Sequence, residues 1–437
     1  MPTAPAAAPS TLPYDPVEAA TRFGTPTYVY DADTLRERAR SLTGRGATIR
    51  YAQKANNHTA VLALLRAEGV VVDAVTAGEI HRALTAGYDP SDVVYTADVF
   101  DRDALEALHT HGCPVNAGSP NMLGQLAESG LGHLPVTLRL NPGFGHGHSR
   151  KVNTGGTASK HGIWHEQLAD VLREAEELGL ERVRGLHMHI GSGSDFEHLS
   201  HVCDAMVDAA QAWADAGTGH ELEVISAGGG LPIPYRKPDA DGRGGDAPLD
   251  LGRFFDAWVD ARDRVSAIVG HGVELEVEPG RYLAAEAGSL VAEVRGTKRQ
   301  GTGEDAVDYL LVDAGFNDLL RPAMYGAYHH LEVVAADGRE LTQERDYVVA
   351  GPLCESCDVF TQGEDGVVQT RRLPVPKAGD LLVIHDAGAY GSAMASRYNG
   401  RRLTAEAMVI DGELFGIRER EPVDEQLRYE SIPGVLR

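Results

Sequence analysis

Apolar and polar positions follow two textures along the chain. Between Thr48 and Gly280, short β-branched or apolar runs alternate with longer stretches of helical period. The short runs are TIRYA (48–52), VVVDA (70–74), VVYT (93–96), PVNAG (114–118), VTLRLNP (136–142), RGLHMHIG (184–191), LEVISAGGG (222–230) and LEVEPG (275–280). Segments between them, such as HTAVLALLRAEG and HEQLADVLREAEELG, place apolar residues at i, i+3, i+4 and i+7 and end in glycine, as amphipathic helices do. Eight strand–helix alternations over this span predict an α/β fold, a (β/α)8 barrel.

After Arg281 the texture changes. AVDYLLVDAG, LEVVAADG, DYVVAGP, DLLVIHDAG and AMVIDGELFGI are strand-like runs separated by turn residues, with little helical periodicity. They predict a second, mostly β, barrel-like domain. PTYVYDAD (26–33) is one more strand, lying before the first barrel unit and free to pair with that second sheet. The expected division is a disordered tail over 1–13, a barrel over 31–283, and a β domain built from 14–30 and 284–437. PYRKPDADGRGGDAPLD (234–250), polar and rich in Gly and Pro, reads as a loop.

Composition acts mainly by exclusion. Lys and Arg number 40 against 64 Asp and Glu, a net charge of −24 that repels phosphate backbones and anionic membranes. No run of 18 or more apolar residues offers a membrane span. The start, MPTAPAAAPSTLP, lacks the basic and apolar regions of a secretion signal. Cys113, Cys203, Cys354 and Cys357 are too few for a disulfide framework in a chain of 437 residues. These features lead to an expected cytoplasmic protein that binds neither nucleic acid nor membrane.

In a barrel of this kind the reactive groups stand at the C-terminal ends of the strands. Those ends carry Lys54, Asp73, Arg139, His187 and His189, then Gly228, Gly229 and Gly230, and lastly Glu278, Gly280 and Arg281. Taken singly each has a plain structural explanation: a solvated lysine, a satisfied core histidine, a tight glycine turn. Together they suit a phosphate-bearing cofactor, because glycine turns let backbone N–H groups approach an anion, HIGSGS adds the hydroxyls of Ser192 and Ser194, and Arg281 adds a fixed cation. A lysine and a carboxylate beside such a cradle point to pyridoxal phosphate. Lys54 would bond the cofactor aldehyde, and Glu278 would keep the pyridine nitrogen protonated. An arginine in place of Glu278 would leave that nitrogen unprotonated, as suits a racemase.

YAQKAN, VDAVTAGE, HMHIGSGS, AGGGLPIPY, EPGR, DAGFNDLLRPAMYGAYHH, GPLCESCDVF and HDAGAYGSAM resemble, in order and across nearly the whole chain, the fold-type III pyridoxal-phosphate decarboxylases. NPGFGHGHSRKVNTGGTASKHGIW (141–164) is similar to the form found in enteric bacterial members. The resemblance implies that Lys54 carries the cofactor and that His189 stacks on its ring. Asp73, Ser192, Gly229, Gly230, Glu278, Gly280, Arg281 and Tyr390 would complete the cofactor's surroundings. It further implies that Cys354 donates a proton from the neighbouring subunit of a homodimer. Arg281, Arg321, Tyr325, Glu355 and Tyr390 would hold the far end of the substrate. The implied reaction is decarboxylation of meso-2,6-diaminopimelate to L-lysine and carbon dioxide, the last step of lysine biosynthesis. D-lysine, D-ornithine, or a carboxylated siderophore or antibiotic precursor are the alternative substrates.

Three other readings compete. His187 and His189, or His161 and His165 at i, i+4, could ligate a metal, but the other strand ends offer no matching ligands. Cys354 and Cys357 form a single C-x-x-C, and Cys357 reads more simply as a small packing residue. A non-catalytic cofactor carrier would have no need of the second domain, or of Lys54 and Cys354. No metal is therefore expected.

Overall fold

The structure, a computed structural model, describes residues 12–145, 155–191, 196–236 and 245–437. The expected tail and Ser192 and Ser194 thus fall wholly or largely outside the described residues. The described chain forms two compact units, one of residues 35–233 and 247–283, the other of residues 1–34, 234–246 and 284–437.

The first strand, β1 (Thr27–Asp31), belongs to the second unit. The first unit contains β2 (Thr48–Ala52), β3 (Val71–Ala74), β4 (Val93–Ala97), β5 (Val115–Ala117), β6 (Val136–Asn141), β7 (Ile163–Trp164), β8 (Val183–Met188), β9 (Val224–Ser226) and β10 (Glu274–Val277). All neighbouring pairs are parallel, running β5-β4-β3-β2-β10-β9-β8-β6 and closing through β5–β6, where Val115 pairs with Val136. The closed eight-stranded barrel is the one expected, and the two-residue β7 adds to β6 outside it. The strands read as unbroken apolar runs because both faces are buried, by the barrel interior and by the surrounding helices.

Local signals place the helices. Thr76 Oγ1 accepts from Glu79 N at 3.1 Å at the start of Ala77–Thr85, and Asp101 caps Arg102–His111, which ends on left-handed Gly112. One largely buried ion pair ties the first and last barrel strands: Arg50 on β2 donates to Glu276 on β10 at 2.7 Å. Removing either partner leaves a buried charge, at a cost of about 3–5 kcal/mol.

In the second unit β1 is flanked by β11 (Gly288–Gln300), antiparallel, and β17 (Ala405–Ile410), parallel. The sheet continues through β12 (Val307–Val312), β14 (Glu344–Ala350) and β15 (Arg371–Pro374) on one side and β18 (Glu413–Arg418) on the other. β16 (Leu381–Ile384) pairs with β11, and β13 (Leu331–Val334) pairs with β16. The strand of residues 26–33 thus pairs with the C-terminal sheet. Ala19, Val29, Val291, Leu381, Val383, Ala407, Val409 and Leu414 form the core there. Among the described residues no helix is long and apolar enough to cross a membrane.

Candidate active site

The C-terminal ends of the barrel strands converge through direct contacts as well as topology. Lys54 sits in the single turn Gln53–Ala55 that follows β2, exposed, and makes no ion pair among the described residues. Ala52 N donates to Pro279 O at 3.1 Å, which sets the EPGR segment against that turn. A Cβ on Gly280 would lie 3.2 Å from both Ala52 O and Ala55 Cβ, so a glycine keeps this approach open.

Glu278 is the electrostatic centre of this face. It is buried, accepts from His187 Nε2 at 2.9 Å through Oε2, and accepts from Ser226 Oγ at 3.0 Å through Oε1. Burial opposes its charge, but His187 and Arg50 outweigh burial and hold the carboxyl well below the usual range. Asp73 behaves oppositely: burial first, and the Glu278 charge second, push it up to about 8. Two carboxyls facing the same space are thus split, one anionic and one neutral.

His189 stands one residue past β8, and Gly229 N donates to its Nδ1 at 3.1 Å. That bond assigns the ring proton to Nε2. Burial, then the charges of Arg139 and Lys54, depress its pKa well below the ordinary value, so the ring is neutral. Past β9, Gly228, Gly229 and Gly230 press the backbone against its neighbours. A Cβ on Gly229 would lie 2.4 Å from Glu278 O, and one on Gly230, where φ is +101°, 2.2 Å from Gly191 O.

These residues fit pyridoxal phosphate on grounds internal to the structure. Gln53 Nε2 and Oε1, Asn116 Oδ1 and His187 Nδ1 are buried without a hydrogen-bond partner among the described residues. Uncompensated burial of so many polar atoms within one barrel calls for a polar occupant. The side-chain-free glycine backbone suits a phosphate, Lys54 an aldehyde, and Glu278 a protonated ring nitrogen.

The second unit presents the remaining expected residues. Arg321 is buried at the start of the helix Arg321–Tyr325, donates to His329 Nε2 at 2.9 Å, and lies 4.6 Å from the Tyr235 ring centroid. Tyr325 closes the same helix, and Tyr390 holds a left-handed φ of 57° after β16. Cys354 and Glu355 are exposed on a turn fixed by Asp358, which accepts from Leu353 N at 2.7 Å and from Phe316 N at 2.7 Å.

The sequence profile described as "Pyridoxal-dependent decarboxylase, pyridoxal binding domain" matches residues 33–285. The chain belongs to this decarboxylase family. A protein named diaminopimelate decarboxylase from Escherichia coli (strain K12) is 48% identical over 416 residues, which cover 94% of each chain. One of the same name from Streptomyces coelicolor is 50% identical over 421 residues, 95% of this chain and 91% of that one. A solved structure described as "Crystal structure of diaminopimelate decarboxylase" superposes with a TM-score of 0.86 at 47% identity, covering 94% of both chains. A lysine decarboxylase from Selenomonas ruminantium superposes at 0.73 with 25% identity, covering 91% of this chain and 95% of that one.

Several polar groups of this decarboxylase escape a reading of charge and motif alone. Gln53, Thr96 and Asn116 are uncharged and lie inside or just after apolar runs. Ser226 was visible only as part of LEVISAGGG, yet it holds Glu278. Asp98 and His161, 63 residues apart, meet at 2.6 Å, and Gly162 N donates to Asp98 at 3.1 Å. The signal for the uncharged set is a lone polar residue at the C-terminal end of a buried strand. His161 therefore has a carboxylate partner, and among the described residues no cluster of three or more His, Cys, Asp or Glu could hold a metal.

Proposed function

We propose that this pyridoxal-phosphate-dependent decarboxylase converts meso-2,6-diaminopimelate to L-lysine and carbon dioxide. It does so as a cytoplasmic homodimer, with the cofactor in the 31–283 barrel. The observation that carries the reading is the split pair at the barrel mouth, Glu278 anionic and Asp73 neutral beside an unpaired lysine, together with relatives 48–50% identical over nearly the full chain.

Lys54 Nζ would hold the cofactor through its aldehyde, and its amine would be the group freed when a substrate amine binds. When bound, pyridoxal phosphate supplies an electron sink for the pair left by the breaking Cα–carboxyl bond. Glu278, kept ionised by His187 and Arg50, holds a proton on the pyridine nitrogen and so deepens that sink. Neutral His189 offers an uncharged ring face to pack on the cofactor. Gly229, Gly230, Gly280, Arg281 and Tyr390 would hold the phosphate, the resemblance adding Ser192, which lies outside the described residues. Cys354 Sγ of the second copy delivers a proton to the carbon that has lost carbon dioxide.

Substrate choice rests on the far end. Arg281, Arg321, Tyr325, Glu355 and Tyr390 suit a distal carbon bearing both an amino group and a carboxylate. Guanidinium groups there would complement the second carboxylate, which diaminopimelate has and lysine or ornithine lacks. Carbon dioxide release by the purified protein from meso-diaminopimelate, D-lysine, L-lysine and D-ornithine tests this. Turnover of meso-diaminopimelate well above the rest is expected; equal turnover of D-lysine or D-ornithine would hand the assignment to the sibling decarboxylases.

A further inference from the structure

Arg321 and His329 are 6% and 4% exposed, so their polar atoms have to be satisfied within the fold. Local structure and strand register bring the two together. Arg321 opens a short helix that carries Pro322 in its first turn and ends at Gly326, whose left-handed φ of 61° turns the chain back. His329 stands two residues before β13, where Leu331 pairs with Ile384 of β16 and His385 N donates to His330 O at 2.9 Å. That register sets the backbone carbonyl of His385 against the His329 ring.

The two ring nitrogens of His329 have opposite duties. Nδ1 lies 2.8 Å from His385 O, a carbonyl that can only accept, so the ring proton is on Nδ1. Nε2 lies 2.9 Å from Arg321 Nη1, which can only donate, so Nε2 offers its lone pair. The neutral ring satisfies both contacts, whereas a protonated ring would turn an N–H toward a guanidinium. Tyr235, in the same unit, supplies a wall: its ring centroid is 4.6 Å from the Arg321 guanidinium and 5.6 Å from the His329 ring, with 74° between the two ring planes. The aromatic face sets where the guanidinium lies, and the lone pair sets its rotation. Because the group is a rigid planar fork, these two constraints fix the direction of every other N–H it carries. A lone pair and an aromatic face also orient the cation without neutralising it.

We infer that His329 is a positioning residue for substrate choice: as the Nδ1–H tautomer, backed by Tyr235, it aims the Arg321 guanidinium at the carboxylate on the substrate's far end. The inference rests on the reading of Arg321 as a far-end group given above. His329 itself touches neither substrate nor cofactor; it acts through Arg321.

Two ligands isolate the far carboxylate. Loss of one carboxylate from diaminopimelate leaves the other in L-lysine, and 1,5-diaminopentane is the same chain without it. Each is titrated into the protein loaded with pyridoxal phosphate, and the change in cofactor absorbance gives its dissociation constant. His329→Leu, which fills the space but has no acceptor, should weaken L-lysine about tenfold to hundredfold, the worth of a hydrogen bond to a charged group, and leave 1,5-diaminopentane unchanged. His329→Gln, whose carbonyl can accept from Arg321, should restore most of the L-lysine affinity. In an Arg321→Ala background, His329→Leu should add no further loss. Equal weakening of both ligands by His329→Leu, or of neither, overturns the inference, since a merely structural histidine would not discriminate between them. So does a His329→Gln protein no better than His329→Leu, or a loss that persists in the Arg321→Ala background. If Arg321→Ala alone leaves L-lysine binding unchanged, the far-end reading of Arg321 fails instead. Should His329→Leu not fold, His329→Ala, which also lacks the acceptor, takes its place with the same expectations.

Discussion

Glu278→Gln is the most informative single change at the barrel mouth, because it keeps the shape of the side chain and removes its charge. Glu278 is buried and accepts from His187 at 2.9 Å and from Ser226 at 3.0 Å. The anion survives burial because His187 and Arg50 stand beside it. A glutamine carbonyl can accept from a protonated pyridine nitrogen but carries no charge to hold the proton there, so one ion-paired hydrogen bond is lost. Such a bond is worth about 1.5–3 kcal/mol, which is roughly a tenfold to hundredfold loss of cofactor affinity. The loss in kcat should be larger, about 100-fold or more, because the ring nitrogen bears more of the developing charge at the transition state. Titrating the cofactor-free protein with pyridoxal phosphate by fluorescence gives the first number, and carbon dioxide release at saturating cofactor gives the second. Wild-type affinity together with wild-type turnover would refute the role assigned to Glu278.

Asp73 makes the cofactor-free protein pH-sensitive in a defined window. Its carboxyl is raised from 3.8 to about 8, so its contribution is complete below about pH 4 and is lost as pH rises toward 8. His189, whose pKa is lowered, stops contributing a slope above about pH 6.5. Urea unfolding between pH 6.5 and 8 should therefore show stability falling with pH by at most about 1.4 kcal/mol per unit. Asp73→Asn should flatten that slope, and a slope that persists in the variant would point to another group. Arg321→Ala, which removes a buried guanidinium held by His329, should cut the preference for meso-diaminopimelate over D-lysine by about 2–5 kcal/mol, read as kcat/KM ratios. Unchanged ratios would take Arg321 out of the distal pocket. Lys54→Ala and Cys354→Ala should each be inactive alone, yet mixing them with subunit exchange should restore about a quarter of wild-type activity through hybrid dimers. No recovery in a mixture shown to have exchanged would place Cys354 in its own chain's site.

The barrel was legible because its strands are buried on both faces and so appear as unbroken apolar runs between helical segments. Lys54, Asp73 and Glu278 were legible because a charge at the end of such a run has few structural reasons to be there. β11, the longest strand, was not, because its second half, RGTKRQ, is polar and largely exposed, with no apolar alternation to mark it. β15 begins with two arginines and β7 has two residues, so neither carries a pattern. Ser226, Thr96 and Asn116 were hidden for a different reason: uncharged polar residues are common in loops and strands, and only burial reveals that they face a shared interior. Asp98 and His161 form a contact between distant parts of the chain, which local periodicity cannot express.

The central claim, that the barrel holds pyridoxal phosphate on Lys54, is tested most directly by fixing the bond chemically. The cofactor-loaded protein is reduced with borohydride, digested, and mapped by mass spectrometry. Reduced cofactor on the peptide containing Lys54, and on no other lysine, is the expected outcome, and Lys54→Ala should carry none. Cofactor attached elsewhere, or the same labelling in the Lys54→Ala protein, would contradict the account.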